Sequence, residues 1–386
     1  MKTIRIIFRT LLGLTFMFSG IVKGVDPLGS VYKFNEYFEA WGTEWMSPLS
    51  LVLVILLCMV EFTTGVMLLF NVKPKLSSWF AFLIMLFFTV LTYISAINNP
   101  VTDCGCFGDA IKLSNWNTFY KNIVLIIMTI FLLFTNKISK PAFNKKIELL
   151  IIILGAGFIV HVSVYCLNHL PVIDEFPFRK QLGLWNDLPW KKGDTIAKQV
   201  VATPEISEVV LVYKDKKTGK EEEYTSKTLP WKDSVKMANI EFVRQDKKII
   251  QPYKEAPIHD FIIYDDTINR TAEIITNPGY QFILAAPDIF KTKKTIYAEI
   301  NKFVENCDKD SISFIGLSGS IPDDVELFRH EVQAIFPIYN VDETALKTMV
   351  RANPGIVLIH NGVVVEKWHW RDFPEYSTVK EKYLNK

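Results

Sequence analysis

Five long apolar segments in the first 170 residues dominate what this chain can fold into. They cover residues 4–22, 49–70, 76–97, 118–134 and 149–167. Each is long enough to cross a bilayer core about 30 Å thick as a helix, which needs roughly 17–25 residues. Within a bilayer, only helices and closed barrels satisfy every backbone polar group. The pattern therefore predicts five transmembrane helices and a chain that contacts the lipid bilayer.

The composition indicates two unlike halves. The chain of 386 residues is 49% hydrophobic, but after about residue 170 it becomes mixed, charged and rich in proline and aromatic residues. A formal net charge of +2 offers no strongly basic surface, so we expect no nucleic-acid partner. The second half has roughly 215 residues, which is enough for one or two folded domains.

Charges in the short loops predict the orientation of the helices. Basic residues precede or open the first segment and fill the second and fourth loops; they are Lys2, Arg5, Arg9, Lys73, Lys75, Lys137, Lys140, Lys145 and Lys146. Because basic loops stay in the cytoplasm, we expect a multi-pass bacterial inner-membrane protein with a cytoplasmic N-terminus. The third loop and the second half then lie in the periplasm. The first segment lacks a small-x-small cleavage site, which favours an uncleaved helix over a signal peptide.

Two cysteines lie one residue apart in the third loop. The sequence there is Asp103-Cys104-Gly105-Cys106-Phe107-Gly108. A disulfide within Cys-x-Cys closes a small ring, for which Gly105 supplies backbone freedom, and strained disulfides are labile. We therefore interpret Cys104 and Cys106 as a candidate redox pair; alternatively, the thiols are inert or pair elsewhere. No histidine or second cysteine pair lies nearby, so no metal site is expected.

Two charged residues, one inside an apolar segment and one directly after another, are also candidates for function. Glu61 lies inside the second segment, where an ionised carboxylate costs about 2.5–3.5 kcal/mol, so it should face the bundle interior or be protonated. It could relay protons or hydrogen-bond a quinone head group; a helix-packing hydrogen bond to Thr63 or Thr64 is the alternative. Lys23 is expected either to extend to the surface or to pair with an acid such as Asp26.

These motifs together resemble the DoxX/MauE type of small membrane protein. The resemblance rests on Phe18-Ser19-Gly20, Lys23, Asp26 and Pro27 in the first helix, on Glu61, Gly65 and Leu68-Leu69 in the second, and on the cysteine loop of the MauE branch. It implies a four-helix core over residues 1–135, with a fifth span that only exports the second half. Some members are linked to quinone-coupled oxidation and others to maturation of disulfide-rich periplasmic enzymes, so a quinone is the candidate cofactor.

The second half divides into a β-rich segment and an α/β domain. Two hairpins are predicted, over 209–224 and 241–251, and from residue 255 strands alternate with helices. Asn353-Pro354-Gly355, followed by a strand and the turn Asn361-Gly362, resembles the cis-proline and final hairpin of a thioredoxin fold. Where that fold carries Cys-x-x-Cys, this chain has Ala286-Pro287-Asp288-Ile289-Phe290, so the domain should not perform dithiol exchange.

The sequence thus predicts four regions: a membrane helical bundle over 1–135, a cytoplasmic loop and fifth helix over 136–169, a β-rich periplasmic region over 170–254, and a degenerate thioredoxin-like domain over 255–386. We expect the protein to bind periplasmic protein partners and to support thiol or quinone redox chemistry or the maturation of exported proteins. Cys104, Cys106 and Glu61 would form its site. The alternative is a non-enzymatic assembly or scaffolding factor whose two halves only bind partners.

Overall fold

The computed structural model describes residues 2–99, 101, 113–135, 140–172 and 190–385. The six residues from Asp103 to Gly108, among them Cys104, Gly105, Cys106 and Phe107, lie outside the described residues. Within the described part, the first half contains helices α1 (Lys2–Val25), α2 (Pro27–Ala40), α3 (Ser50–Leu69), α4 (Pro74–Asn98), α5 (Asn115–Thr135) and α6 (Lys145–Asn168), with a 3-10 helix, Glu44–Leu49, before α3. The helices other than α2 are long and apolar enough to cross a membrane, which confirms the five predicted spans.

Helices α1 and α3 approach each other closely because glycines line their contact. A Cβ atom at Gly20 would lie 2.8 Å from the backbone nitrogen of Phe62, and one at Gly65 would lie 2.6 Å from the backbone nitrogen of Met17. In a membrane, where apolar burial drives helix association only weakly, small residues allow this close backbone packing. Helix α1 also contacts α5 and α6, so it occupies the centre of the bundle.

Helix α6 is an integral part of this bundle. Ile159 is fully buried among side chains of α3, and its Cδ1 atom lies 2.6 Å from where a Cβ of Gly24 would be. The rings of Phe158 and Phe62 lie 5.6 Å apart. The expectation that the fifth span only exports the second half is therefore too narrow, because α6 packs against both α1 and α3.

Helix α2 was not among the predicted elements. The Asp26 carboxylate accepts a hydrogen bond from the backbone N–H of Gly29 at 2.9 Å and caps the helix, and Pro27 occupies a first-turn position. Both are favourable ways to begin a helix. Helix α2 packs against α3 and reaches α4, where the hydroxyls of Tyr37 and Ser95 lie 3.4 Å apart. It therefore crosses the end of the bundle at which α1 ends.

The second half contains two sheets and several short helices. Its strands are β1 (Ile206–Asp215), β2 (Glu221–Tyr224), β3 (Ile240–Gln251), β4 (Tyr264–Asp265), β5 (Ile268–Asn269), β6 (Tyr280–Ala286), β7 (Ser313–Ser318), β8 (Ile338–Asn340), β9 (Gly355–His360) and β10 (Val363–His369). Its helices are α7 (Ala197–Val200), α8 (Ser234–Asn239), α9 (Thr271–Ile275), α10 (Tyr297–Lys309), α11 (Pro322–Val332), α12 (Glu343–Met349) and α13 (Tyr376–Val379), with a 3-10 helix at Lys294–Ile296 and a π-helix at Lys380–Leu384.

The first sheet is antiparallel, with the order β2-β1-β3. Strands β1 and β2 form the hairpin predicted over 209–224. The second predicted hairpin, over 241–251, is wrong, because β3 runs as one strand along β1, from Ile240 opposite Asp215 to Gln251 opposite Ile206. Its central polar residues have the composition of a turn. Almost all β3 side chains are exposed, so polar residues there do not interrupt the strand.

The second sheet has the order β10-β9-β6-β7-β8-β4-β5 and carries a core on each face. Strands β6, β7 and β8 are parallel, whereas β9 is antiparallel to β6 and β10. Ile283 and Ala285 of β6 belong to one core and Phe282 and Leu284 to the other, as strand alternation requires. The carboxyl ends of β6 and β7 and the start of β9 meet at one edge. There the Asn353–Pro354 peptide is cis, as expected for Pro354.

Candidate functional site

Lys23 of α1 and Glu61 of α3 form an ion pair inside the membrane bundle. The Lys23 Nζ atom lies 2.8 Å from Glu61 Oε2 and 3.1 Å from Oε1, and it donates to Ser19 Oγ at 2.6 Å. Lys23 is 4% exposed and Glu61 is 2% exposed, so Glu61 faces the interior as predicted. Of the two expectations for Lys23, the extended side chain is wrong, whereas pairing with an acid is confirmed, although the acid is Glu61 and not Asp26. A buried carboxylate in lipid needs a counter-charge, and Lys23 supplies it.

A small cavity of about 30 Å³ adjoins this pair. Besides the two charges, its lining includes Phe88 of α4 and Lys121 and Asn122 of α5. One water molecule needs about 10–15 Å³, whereas a benzene ring occupies a cavity of about 150 Å³. The cavity therefore has room for a water next to the carboxylate and no room for a quinone ring. A water between charged and amide side chains can pass a proton.

Helix α5, which contributes Asn122 to the cavity, begins just after the segment that contains the cysteine pair and also binds the residues just before that segment. The Asn115 side chain donates hydrogen bonds to the Val101 carbonyl and to Asn99 Oδ1, each at 2.9 Å. Asn122, in the cavity wall, follows Asn115 by seven positions. This spacing is about 10 Å along a helix that rises 1.5 Å per residue. The residues on either side of the segment 102–112 are thus held about two helical turns from the cavity.

A second buried ion pair joins the two halves of the chain. The Asp26 carboxylate contacts Arg351, from the loop between α12 and β9, and Arg351 Nε lies 3.1 Å from each carboxylate oxygen. The side chains of Arg351 and Asp26 are 8% and 12% exposed. The sequence marked Asp26 but gave no reason to single out Arg351, because the two residues are 325 positions apart.

Aromatic contacts surround this interdomain pair. The Tyr32 ring of α2 lies 4.9 Å from Lys347 Nζ and 5.7 Å from the Arg351 guanidinium carbon, within the range of cation–π attraction. Burial raises the pKa of Tyr32 to about 12, so its hydroxyl is neutral at physiological pH.

A further contact between the two halves lies at the end of α6, where His169 Nδ1 is 2.6 Å from Asp372 Oδ1. The α/β domain therefore rests on the membrane bundle through several separate contacts.

The sheet edge next to Arg351 has no thiol, since residues 286–290 contain no cysteine. The Asn353 side chain donates to the Asp288 carbonyl at 2.7 Å, which ties the cis-proline loop to this segment. Cys307, the single cysteine of residues 190–385, lies on α10 and is fully buried. Burial raises the pKa of its thiol to about 12, so the reactive thiolate does not form at neutral pH.

We therefore expect all thiol–disulfide exchange by this protein to depend on the first half. The full-length protein carrying Cys104→Ser and Cys106→Ser should be inactive towards a dithiol or disulfide peptide in detergent. Adding Cys307→Ser should change nothing. Exchange that survives the double substitution and disappears with Cys307→Ser would place the reactive thiol in the α/β domain.

Fold and site together define a multi-pass membrane protein with a buried charge pair and a docked sheet-rich second half. The family model of methylamine utilisation protein MauE matches residues 1–135, a stretch that ends with α5 and includes Lys23, Asp26 and Glu61. This match covers 135 of 386 residues, so α6 and the second half lie outside it. Neither a curated protein nor a solved structure gives a significant match to the chain. The resemblance of the first half to MauE is confirmed.

Proposed function

We propose that the chain is an inner-membrane redox protein in which Cys104 and Cys106 exchange electrons on the periplasmic side and the Lys23–Glu61 site transfers protons. One observation carries this proposal: the buried pair and its cavity lie about two turns of α5 from Asn115, which holds both ends of the cysteine-containing segment. A proton acceptor beside a thiol pair is what a cycling disulfide requires, because each oxidation releases protons together with electrons.

The proposed cycle balances as follows. Oxidation of the two thiols to a disulfide releases two electrons and two protons, and reduction by the dithiol of an exported protein returns the pair to its starting state. A membrane quinone, as the electron acceptor, would take up two electrons and two protons and leave as the hydroquinone. Glu61 and the adjoining water site would accept protons in this scheme. The cavity beside Glu61 is too small for the quinone ring, so we assign Glu61 no head-group contact.

We further propose that residues 255–386 form a thioredoxin-like domain that holds the exported protein. Support comes from the order β6-α10-β7-α11-β8 followed by the β9–β10 hairpin, and from the hydrogen bond that ties Asn353 to segment 286–290. Because that segment lacks cysteine, the domain would contribute binding and leave the chemistry to the membrane half. The description of the matching family, methylamine utilisation, fits the maturation of an exported enzyme as the purpose.

The proposal is tested by the redox state of the cysteine pair in cells. Thiol-specific mass tagging should find Cys104 and Cys106 partly oxidised, and depletion of the respiratory quinone should shift them towards the reduced state. Cys58, buried in α3, is the internal control and should not change. A permanently reduced pair would reject the redox cycle. It would favour the scaffold function, for which the docked α/β domain without cysteine in segment 286–290 is the supporting observation.

The orientation also makes a direct prediction. Because the basic loops are expected in the cytoplasm, a reporter that works only in the periplasm should be active when fused after Lys386. The same reporter inserted in the basic loop 137–146 should be silent, and a cytoplasm-dependent reporter at the two positions should give the opposite pattern. A silent C-terminal fusion would remove the oxidising compartment from the proposal.

A further inference from the structure

The two buried ion pairs lie one helical turn apart at the C-terminal end of α1. The backbone N–H of Asp26 donates to the Val22 carbonyl at 3.3 Å, so the helical turn that carries Lys23 continues to Asp26. Lys23 faces Glu61 of α3, whereas Asp26 faces Arg351 of the α/β domain. Side chains three positions apart on a helical turn are close enough to interact. Lys23 and Asp26 are therefore potential partners that the structure keeps apart.

We propose that Arg351 is a positioning residue for the membrane site: by pairing with Asp26, it leaves Lys23 to pair with Glu61. This inference rests on the proposed function, in which Glu61 accepts protons. Arg351 and Asp26 carry out no step of the proposed electron and proton transfer. Their role is to determine which carboxylate forms the ion pair with Lys23. They thereby determine whether Glu61 keeps its counter-charge or is left without one.

The physical reason is the high cost of a buried carboxylate without a counter-charge. If an uncharged side chain replaces Arg351 while the α/β domain stays docked, Asp26, which is 9% exposed in the docked structure, loses its counter-charge, and Lys23 is a cation on the same turn with a flexible stem. Lys23 then turns towards Asp26, which leaves Glu61 buried without its partner. A desolvated carboxylate in that state takes up a proton. Docking of the α/β domain thus sets the charge of a residue inside the membrane bundle.

The α/β domain also docks on the membrane bundle through contacts that do not involve Asp26, and these contacts make the inference testable. The pair of His169 and Asp372 is half-exposed and belongs to the end of α6. Removing it weakens docking without changing the charge next to Asp26. Removing Arg351 changes both. A variant at each position therefore separates the electrostatic effect from a general loosening of the two halves.

The experiment is infrared spectroscopy of the full-length protein in lipid nanodiscs, which detects the carbonyl band of a protonated carboxylic acid. With glutamate carrying ¹³C at its side-chain carboxyl, Arg351→Gln should show an isotope-shifted band, from glutamic acid, that the unmodified protein lacks, and adding Glu61→Gln should abolish it. An unshifted band would come from Asp26 and would overturn the proposal. Asp26→Asn in the Arg351→Gln background should also abolish the band, because no carboxylate then competes for Lys23. A merely structural role of Arg351 would not be rescued in this way.

Arg351→Lys, which keeps the charge, and Asp372→Ala, which breaks the other contact, should both lack the band. Absence of the band in folded Arg351→Gln protein would overturn the proposal, as would its persistence in Asp26→Asn/Arg351→Gln. If Arg351→Gln does not fold, Arg351→Met, which keeps an apolar stem of similar length, takes its place: a Glu61 band is expected there, and its absence would overturn the proposal. The readout does not depend on Cys104 or Cys106, so it is independent of failure of the thiol cycle.

Discussion

Replacement of Lys23 by methionine should destabilise the membrane bundle by about 3–5 kcal/mol, because loss of one partner leaves a buried charge uncompensated. The Glu61 carboxylate lies 2.8 Å from Lys23 and is 2% exposed, so solvent cannot replace the lost ammonium. Unfolding of the full-length protein by a denaturing detergent, followed by circular dichroism, measures the loss. The double variant Lys23→Met/Glu61→Met should recover most of it, since apolar residues of similar volume replace buried ion pairs well.

Lys33→Met provides the matched control. Lys33 pairs with Glu36 at 2.6 Å on α2, but this pair is partly exposed to solvent. Exposed pairs contribute about 0–1 kcal/mol, so Lys33→Met should have a small effect. Equal losses in the Lys23→Met and Lys33→Met proteins would show that the inner pair does not stabilise the bundle.

Substitution of either loop cysteine should abolish function completely. Cys104→Ser and Cys106→Ser should each fail to complement a deletion strain, and this failure should be as complete as that of the double variant. The reason is that a single thiol cannot form the intramolecular disulfide of the proposed cycle. Immunoblotting should show unchanged abundance. Cys58→Ala, at a buried cysteine of α3, serves as the control and should complement. Full complementation by both serine variants would leave the scaffold function in place of the redox cycle.

The proton role of Glu61 needs a variant that leaves no buried charge behind. Glu61→Gln alone would strip Lys23 of its partner and mix a stability defect with a functional one. The double variant Lys23→Met/Glu61→Met avoids this problem. It should accumulate at near-normal levels yet complement poorly, with Cys104 and Cys106 shifted towards the reduced state in mass tagging.

The membrane spans were predictable because their cause is local. Length and apolar composition alone decide whether a segment can satisfy its backbone in a bilayer, and all five predicted spans agree with the structure. Glu61 was recognisable for a related reason, since a carboxylate within such a segment is costly. Helix α2 was missed although Asp26-Pro27 is a recognised helix start, because its mixed face does not resemble a membrane span.

The partners of the charged residues could not be read from the chain. Lys23 has Asp26 three positions away, but it pairs with Glu61, 38 positions away, because α1 and α3 pack face to face. The preference of Asp26 for Arg351 depends on how the second half docks, which no local pattern records. The error in β3 has the opposite origin: Asp246-Lys247-Lys248 has the composition of a turn, yet pairing with β1 keeps it extended.

The contact between Asp26 and Arg351 has a consequence for biosynthesis. The ribosome adds Arg351 325 residues after Asp26. At about 5–20 residues per second, this separation corresponds to roughly 15–65 seconds of synthesis. Throughout that interval the first helices already occupy the bilayer, but the Asp26 carboxylate at the end of α1 has no Arg351 guanidinium with which to pair. In the proposed orientation, the membrane half therefore gains the counter-charge of Asp26 only after the domain that contains Arg351 has been exported and folded.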